Sequence, residues 1–456
     1  MEAHMSLLTE LPMVNTKPSL SSPHPSASKP SHKIGESIDQ DWLRQLCLEA
    51  GADDVGFVEI DRPALEKDRP DMLNAFHRTK TLISFVLRMN REPIRSPARS
   101  VANLEFHHTG DQVNDVARTI VKQLEARGIR ALNPAMGFPM EMDGFPGKIW
   151  VVSHKTAAVA AGLGQMGIHR NVIHPKFGNF ILLGTILIDA EVTNTNIPID
   201  YNPCLECKLC VAACPVGAIS SDGHFNFSAC YTHNYREFMG GFTDWVENIA
   251  NSGSAKQYRQ KVTDAESSSM WQSLSFGANY KAAYCMAVCP AGEDVLPPFT
   301  SNRKKFVGEV VKPLQRKEET IYVVPGSDAE TYVAKRFPNK AIKHVGNSLR
   351  PRSIQGFLDG LPLVFQRKKS EGLSATYHFT FTGQETEQAT VCIRNQTLQV
   401  LKGHHGTGDF HLTADSQIWL GFLAKERNLF WALITGKIRI KGSIKLFKAF
   451  SRCFPN

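Results

Sequence analysis

The chain has 456 residues, of which 42% are hydrophobic and 21% charged, and its formal net charge is +8. This composition is typical of a soluble globular protein with two to four domains. It excludes a membrane-spanning protein, because no apolar run approaches the roughly 20 residues that a bilayer span needs, and residues 1–11 lack the apolar core of a signal peptide. The sequence therefore predicts a cytoplasmic protein.

The N-terminal part combines a polar tail with a mixed domain. Residues 1–36 are rich in Ser, Pro and Lys, so they cannot bury enough apolar surface to offset the entropy of ordering, and we expect a disordered tail. Residues 37–200 alternate between helical and strand patterns, which predicts an α/β domain. The predicted elements are a helix capped within 37–41, strands at 55–60 and 81–87, and a helix over 111–127.

A glycine-rich stretch follows in the same domain. Gly162, Gly164 and Gly167 form a G-x-G-x-x-G pattern. A dinucleotide site would require a strand immediately before this pattern, whereas residues 156–161 have a helical composition. The glycines are therefore interpreted as positions where the backbone approaches a large flat ligand closely.

Residues 204–215 have the spacing C-x2-C-x2-C-x3-C-P, which is typical of bacterial ferredoxins. In that pattern three thiolates and one distant cysteine hold one [4Fe-4S] cluster, and the fourth thiolate joins a second cluster. The predicted ligands form a first cysteine set of Cys204, Cys207, Cys210 and Cys289, and a second cysteine set of Cys214, Cys230 and Cys285.

The second set is one thiolate short, because Ala282 occupies the position where a full motif has cysteine. The second site is then a [3Fe-4S] cluster, a four-iron cluster with an open or non-cysteine ligand, or absent. A zinc site is a weaker alternative, since the first three thiols are closer together than in most zinc knuckles. A disulfide framework is the weakest, because ten cysteines are dilute in a chain of this length. Three isolated cysteines are predicted to be unliganded thiols: Cys47, Cys392 and Cys453.

The order of these motifs resembles that of epoxyqueuosine reductases and reductive dehalogenases over about residues 40–300. The resemblance rests on Ala161-Gly-Leu-Gly164 with Gly167, on Phe177-Gly178 and Leu183-Gly184, and on both cysteine runs. It implies a nitroreductase-like α/β domain that binds cobalamin, a ferredoxin-type 4Fe-4S module over 201–300, and a ferredoxin- or flavodoxin-type electron donor. The positions that it implies for lining the corrin are Gly162, Gly164, Gly167, His169 and Gly178.

One departure from the family concerns the proton donor. Epoxyqueuosine reductases have a catalytic Asp thirteen residues before the Ala of Ala-Gly-Leu-Gly, where this chain has Lys148, and Asp143 cannot be aligned without a gap. Lys148 is the candidate general acid if burial lowers its pKa. Reduction of epoxyqueuosine is therefore not expected, and neither is a nucleic acid partner. His107 and His108 are further site candidates, with ordinary polar roles as the alternative.

The rest of the chain divides into a basic linker and a last domain. Residues 301–349 are interpreted as a solvated linker with a small βα unit, with contact to a membrane surface as an alternative. Residues 350–456 show strand and helix patterns that end in Gly436-Lys-Ile-Arg-Ile-Lys-Gly442. This order resembles the sterol carrier protein-2 (SCP2) domain, which implies a five-stranded α+β sheet and an apolar tunnel for a hydrophobic or lipid ligand. The expected lining residues, for which simple core packing is an equal alternative, are Phe357, Trp419, Phe422, Phe430 and Trp431.

Together these patterns predict an α/β and α+β multidomain iron–sulfur oxidoreductase. Its clusters would pass electrons to a corrinoid, and its SCP2-like domain would hold a hydrophobic substrate. One alternative is a lipid-binding electron-transfer or sensor protein without cobalamin, which the missing thiolate favours. Another is an RNA-directed reductase, which the positive charge and the family resemblance favour.

Overall fold

The computed structural model describes residues 37–137, 140–144, 150–204 and 206–455. The predicted tail at 1–36 and the candidate general acid Lys148 lie outside the described residues. Within the described ranges, no helix is long and apolar enough to cross a bilayer.

The first region contains a four-stranded antiparallel sheet in the order β1-β2-β6-β3. Its elements are α1 (Gln40–Glu49), β1 (Asp54–Glu59), α2 (Arg69–Ala75), β2 (Thr81–Arg88), α3 (Arg91–Arg95), α4 (Arg99–Glu125), β3 (Ala131–Leu132), α5 (His154–Ala160), β4 (Gln165–Met166), β5 (Val172–Ile173) and β6 (Ile181–Ile188). Phe57 and Phe85 pack with α1 and α4 on one face, and Leu82 packs with α5 on the other. Apolar residues on both faces of the strands thus require helices on both sides, and the predicted α/β arrangement is confirmed.

The predicted start of α1 agrees with the structure, whereas the predicted start of α4 does not. Asp39 caps α1, since its carboxylate accepts a hydrogen bond from the Trp42 backbone N–H at 2.8 Å. The helix predicted over 111–127 instead begins at Arg99. Its first half lacks apolar periodicity because polar side chains make its contacts there: Asn103 accepts from the Tyr280 N–H (3.1 Å), and His107 Nε2 lies 2.8 Å from the Ala278 carbonyl oxygen.

The central region is helical and ends in a βαβ unit. Its elements are α6 (Leu209–Ala213), α7 (Phe227–Asn234), α8 (Gly240–Ala250), α9 (Ala255–Lys261), α10 (Asp264–Phe276), α11 (Tyr284–Val288), α12 (Pro297–Ser301), α13 (Arg303–Phe306), a π-helical turn (Val307–Val311), α14 (Lys312–Arg316), β7 (Thr320–Val323), α15 (Asp328–Arg336) and β8 (Ala341–His344). Strands β7 and β8 pair in parallel, so the small βα unit expected at 320–345 is confirmed and closed by a second strand.

Residues 301–349 were predicted to form a solvated linker. This prediction is wrong, because apolar side chains of the segment are buried. Phe306, Leu314, Ile321 and Val333 are buried in the same core as the cysteine helices α6 and α11. The basic side chains that suggested a linker, such as Lys304, lie on the exposed surface. The segment therefore supports the cysteine-rich region through its apolar positions.

The C-terminal region is a five-stranded sheet in the order β11-β10-β9-β12-β13, covered by helices. Its elements are α16 (Ile354–Val364), β9 (Ala375–Thr382), β10 (Glu387–Arg394), β11 (Thr397–Lys402), β12 (Phe410–Asp415), α17 (Ser416–Leu423), α18 (Leu429–Ile434), β13 (Ile438–Gly442) and α19 (Ile444–Cys453). The predicted five-stranded α+β sheet is confirmed. Strand β9 is parallel to β12, and the other pairs are antiparallel.

Gly178 joins the first region to the central region through a close backbone approach. Its φ is +67°, and a side chain there would overlap the Ala291 carbonyl oxygen. Hydrogen bonds from the Glu293 and Asp294 N–H groups to the Pro175 and Lys176 carbonyls (2.9 and 3.0 Å) hold the same junction. Gly326 has a similar φ of +76° but open space around it.

We expect Gly178→Ala to destabilise the protein more than Gly326→Ala. Both variants place alanine in the left-handed region, at a cost of about 1–2 kcal/mol. Only Gly178→Ala also forces backbone apart, which adds about 1–3 kcal/mol. Thermal unfolding followed by circular dichroism should show the larger decrease for Gly178→Ala, and equal decreases would show that the junction is not tightly packed.

Candidate iron–sulfur site and apolar cavity

Two short helices with the same backbone form position the cysteines. Helix α6 follows Lys208 at φ 51° and ends at Cys214, and α11 follows Ala283 at φ 53° and ends at Cys289. Both terminal cysteines are extended, with ψ of 116° and 121°. Each precedes a proline, which disfavours helical backbone in the residue before it. The two halves of the motif are therefore structural repeats.

The first cysteine set lines one small cavity. The cavity is bounded by the four thiols Cys204, Cys207, Cys210 and Cys289, by Pro203 and Pro290, and by residues of the 167–173 loop. All four cysteines are free thiols. Within the described ranges no three His, Cys, Asp or Glu side chains are placed to hold a single metal ion. Four thiols around one enclosed space match the donor set of an iron–sulfur cube, in which each thiolate binds a different iron.

The second cysteine set lies beside the first. Burial and the nearby Cys214 raise the pKa of the Cys285 thiol to about 11, and burial raises that of Cys289 to about 12, with Cys207 and Cys204 adding to the rise. Burial also raises the pKa of Cys230, followed by the effect of Cys214 and Cys285. Cys210 and Cys214 are buried in one core, and Cys207, Cys230 and Cys285 pack against it, so thiols of both sets share one region. A bound metal would have to displace their protons.

Ala282 occupies the place in the second half that Cys207 has in the first. It is 6% exposed, and its N–H donates to Asn234 Oδ1 at 2.9 Å. The backbone of the missing ligand position is thus kept while its thiol is absent. Asn234 was not identified from the sequence, and only its place shortly after Cys230 could have suggested it.

Two arginines, Arg99 buried and Arg95 partly buried, add positive charge near the thiols. Arg99 is 7% exposed, with its guanidinium over the Tyr284 ring, and Arg95 lies between Phe180 and Phe306. Burial lowers the pKa of both groups, and the nearby Cys285 and Cys289 favour their charged forms. Buried cations beside thiols favour an anionic group at this site.

The predicted corrin positions are used differently in the structure. Side chains at Gly162, Gly164 and Gly178 would meet backbone oxygens of Ile197, Ile173 and Ala291. Close packing within the protein therefore explains these three glycines without a ligand. His169 lines the cavity of the first cysteine set, and a side chain at Gly167 would meet its ring. The assignment of all five positions to a corrin stays a prediction.

A larger apolar cavity of about 280 Å³ lies in the C-terminal region. Phe357, Trp419 and Phe422 line it, as predicted for a tunnel. Further lining residues that the sequence analysis missed are Leu361, Phe447, Phe450 and Phe454. Phe447 and Phe450 on α19 and Phe454 just after it follow a helical apolar spacing that could have identified them.

Two of the predicted tunnel residues are not in this cavity. Phe430 and Trp431 are each 63% exposed, on the outer side of α18. Only Ala432 of this six-residue helix is buried, so the helix contributes little to the core and turns both aromatic rings outward. The prediction that they line the tunnel is therefore wrong.

Comparison with known proteins shows that two segments of the chain match known families and that a longer part is similar to an enzyme. Residues 365–455 match the SCP-2 sterol transfer family, and residues 197–220 match the 4Fe-4S binding domain. An epoxyqueuosine reductase of Cellulophaga algicola is 25% identical over 240 residues, which are 47% of this chain and 75% of that protein.

Solved structures of the same kinds of protein also align. The catabolic reductive dehalogenase NpRdhA aligns with a TM-score of 0.37 and 15% identity over 59% of this chain and 34% of its own. An epoxyqueuosine reductase solved with a tRNA-Tyr epoxyqueuosine-modified stem loop aligns with a TM-score of 0.33 and 15% identity, over 60% of this chain and 78% of its own.

These relatives correct one expectation. The absence of Asp at position 148 suggested that nucleic acid would not be a partner, but the relatives matched by sequence are epoxyqueuosine reductases. The exclusion of nucleic acid was therefore wrong, because one substituted position does not outweigh a similarity over about half the chain. Over about half its length the chain is similar to epoxyqueuosine reductases and includes a 4Fe-4S binding segment, and its C-terminal part matches the SCP-2 sterol transfer family.

Proposed function

We propose that the chain is a two-cluster iron–sulfur reductase with a C-terminal domain that holds an apolar ligand. The observation that carries the proposal is the convergence of four free thiols from two separate motifs on one cavity. The first cysteine set would hold a [4Fe-4S] cluster, and the second set would hold a cluster with three cysteine ligands. Such clusters supply one-electron transfer when bound.

The protein buries the cysteine sulfur atoms and donates backbone hydrogen bonds to two of them. The Ile168 N–H donates to Cys204 Sγ at 3.4 Å, and the Ala218 N–H donates to Cys214 Sγ at 3.3 Å. Hydrogen bonds to cluster sulfurs and low solvent exposure are means by which proteins set cluster potentials. The cysteine sets are therefore built for controlled electron transfer as well as for metal retention.

Cobalamin remains a prediction of the family resemblance. Because internal packing explains Gly162, Gly164 and Gly178, the described residues give no independent support for a corrin, and no step proposed here depends on one. Lys148 as general acid lies outside the described residues and also stays a prediction.

Metal analysis tests the central proposal. Protein purified without oxygen from cells supplied with cobalamin should contain roughly seven or eight irons per chain. Cys210→Ala should remove about four of them, because it deletes a ligand of the first set. Cys392→Ala is the matched control, since Cys392 lies on β10 in the C-terminal sheet, and it should leave the iron content unchanged. Equal iron in both variants would contradict the ligand assignment.

The same preparations separate the alternatives. About one cobalt per chain would support the corrinoid reductase, whereas iron without cobalt would favour the lipid-binding electron-transfer or sensor protein.

Ala282→Cys tests the second cysteine set by adding a ligand instead of removing one. It places a thiol at the missing position, on a backbone that matches the first half of the motif. It should convert the second cluster to a fully cysteine-ligated form with a changed electron paramagnetic resonance (EPR) signal.

The C-terminal cavity is proposed to bind an apolar molecule, as its family match and its aromatic lining support. We expect Phe422→Ala to weaken binding of a fluorescent fatty acid by about tenfold, because the ring lines the cavity and contributes about 1–2 kcal/mol of apolar burial. Phe430→Ala removes an exposed ring outside the cavity and should change the Kd less than twofold. Titration by fluorescence measures both, and equal effects would place the ligand elsewhere.

A second candidate is an RNA-directed reductase, which the sequence similarity to epoxyqueuosine reductases favours. The chain should then bind a tRNA anticodon stem loop with an affinity that falls as salt rises, because phosphate contacts release counterions. A DNA hairpin of the same sequence is the control. Equal affinity for both hairpins would contradict RNA-specific binding. The interaction would then be explained by the net charge of +8, which attracts any polyanion.

A further inference from the structure

The 167–171 loop forms a tight turn against the first cysteine set. The Gly167 N–H donates to the Asn171 carbonyl and the Arg170 N–H to the Gly167 carbonyl, both at 2.9 Å, with Arg170 at φ 65°. Lys155 holds the turn from outside, since its Nζ donates to the Arg170 carbonyl (2.6 Å) and to Asn171 Oδ1 (3.1 Å). The turn places Ile168 and His169 in the lining of the four-thiol cavity.

The proton of His169 can be assigned to one nitrogen. The backbone N of Asn171 lies 3.1 Å from His169 Nδ1, and a backbone N–H can only donate. Nδ1 is therefore the acceptor, and the neutral ring carries its hydrogen on Nε2. Burial, followed by the charge of Lys155, lowers the pKa of His169 to about 4, so the ring is neutral at pH 7.

His169 Nε2 is a buried donor that finds no acceptor among the described residues. The residue is 4% exposed, and in the part of the chain that the structure describes its Nε2 has no hydrogen-bond partner. Leaving such a donor unpaired is unfavourable. The cavity that His169 lines is also lined by the four thiols and by Glu206, and the neighbouring Ile168 N–H already donates to one of the thiols.

We propose that His169 Nε2–H donates a hydrogen bond to a sulfur of the cluster held by Cys204, Cys207, Cys210 and Cys289, and that this bond raises the cluster's reduction potential. The inference rests on the proposed function, because it requires a cluster at that set. A reduced cluster carries one more negative charge than the oxidised one, so a donor stabilises the reduced form more. His169 is thus a positioning and tuning residue of the iron–sulfur site rather than a contact of a corrin.

The test replaces His169 in the full chain and measures the midpoint potential by EPR-monitored redox titration. His169→Phe keeps a ring of similar shape but removes the N–H, and it should lower the reduction equilibrium constant of this cluster about tenfold, or about 59 mV for one electron. His169→Gln keeps an N–H donor near the Nε2 position and should stay within about threefold of the parent protein. The signal of this cluster is the one that Cys210→Ala removes.

His233→Phe is the matched control. His233 is also buried, accepts from the Tyr322 N–H through Nδ1 (3.3 Å) and has an unpartnered Nε2, but it does not line the four-thiol cavity. It should leave the potential of this cluster unchanged. An equal shift in His169→Phe and His233→Phe, or no shift in His169→Phe, would overturn the proposal.

Two further results keep the outcomes distinct. If the parent protein holds no iron at the first set, the proposed function fails. If His169→Phe loses the iron of the first set, its potential cannot be measured, and His169→Gln becomes the test of the donor role. Retained iron with a near-parental potential in His169→Gln supports that role, and loss of iron in His169→Gln overturns it. Pulsed EPR on protein with 15N-labelled histidine should also show a weak nitrogen coupling in the parent that His169→Phe abolishes, and its absence in the parent would contradict the hydrogen bond.

Discussion

The placement of the thiols depends on two five-residue helices that are too short to be stable by themselves. Each begins after a residue in the left-handed region and ends where a proline follows cysteine. Ala283 accepts this conformation without being glycine, at a cost of about 1–2 kcal/mol, because the surrounding packing fixes it. Ala213, Ala287 and Val288 are buried in the shared core of the region, so the packing that stabilises these helices also positions their cysteines.

The first region and the cysteine-rich region contact each other at α4 and at residues 175–179. Asn179 Nδ2 donates to the Met286 carbonyl at 2.8 Å, within the helix that carries Cys285. The turn at 167–171 reaches the first cysteine set from the same side. The sheet domain therefore supplies hydrogen-bond donors to the thiols as well as a structural support.

The C-terminal region contacts the central region through the side chain of Gln366. Gln366 is almost completely buried, and its Oε1 accepts from the Asp328 N–H (2.9 Å) and from Asn226 Nδ2 (3.4 Å). Its apolar cavity has lining residues from 347–361, 419–425 and 447–455. The segment predicted as a linker from its basic residues thus makes part of this contact, through the Asp328 N–H.

Sequence patterns predicted β1 and β2 with boundaries close to those observed, as well as the five-stranded C-terminal sheet, but not β3 or β6. They failed where contacts between regions decide the structure. The first half of α4 has no apolar face because Asn103 and His107 pair with the backbone near residue 280. Phe422 and Phe430 belong to similar apolar runs, yet one lines the cavity and the other faces outward.

The sequence by itself determined the cysteine spacing, the missing thiol at Ala282 and the division into an iron–sulfur part and an SCP2-like part, because these depend on residues close together in the chain. The sequence also predicted that Cys289 joins Cys204, Cys207 and Cys210, and the structure places these four at one cavity. Only the tertiary structure decided that His169 lines this cavity and that, among the described residues, its Nε2 has no hydrogen-bond partner. The reason is physical: covalent spacing fixes which groups are available locally, whereas burial and the pairing of distant polar groups fix where they converge.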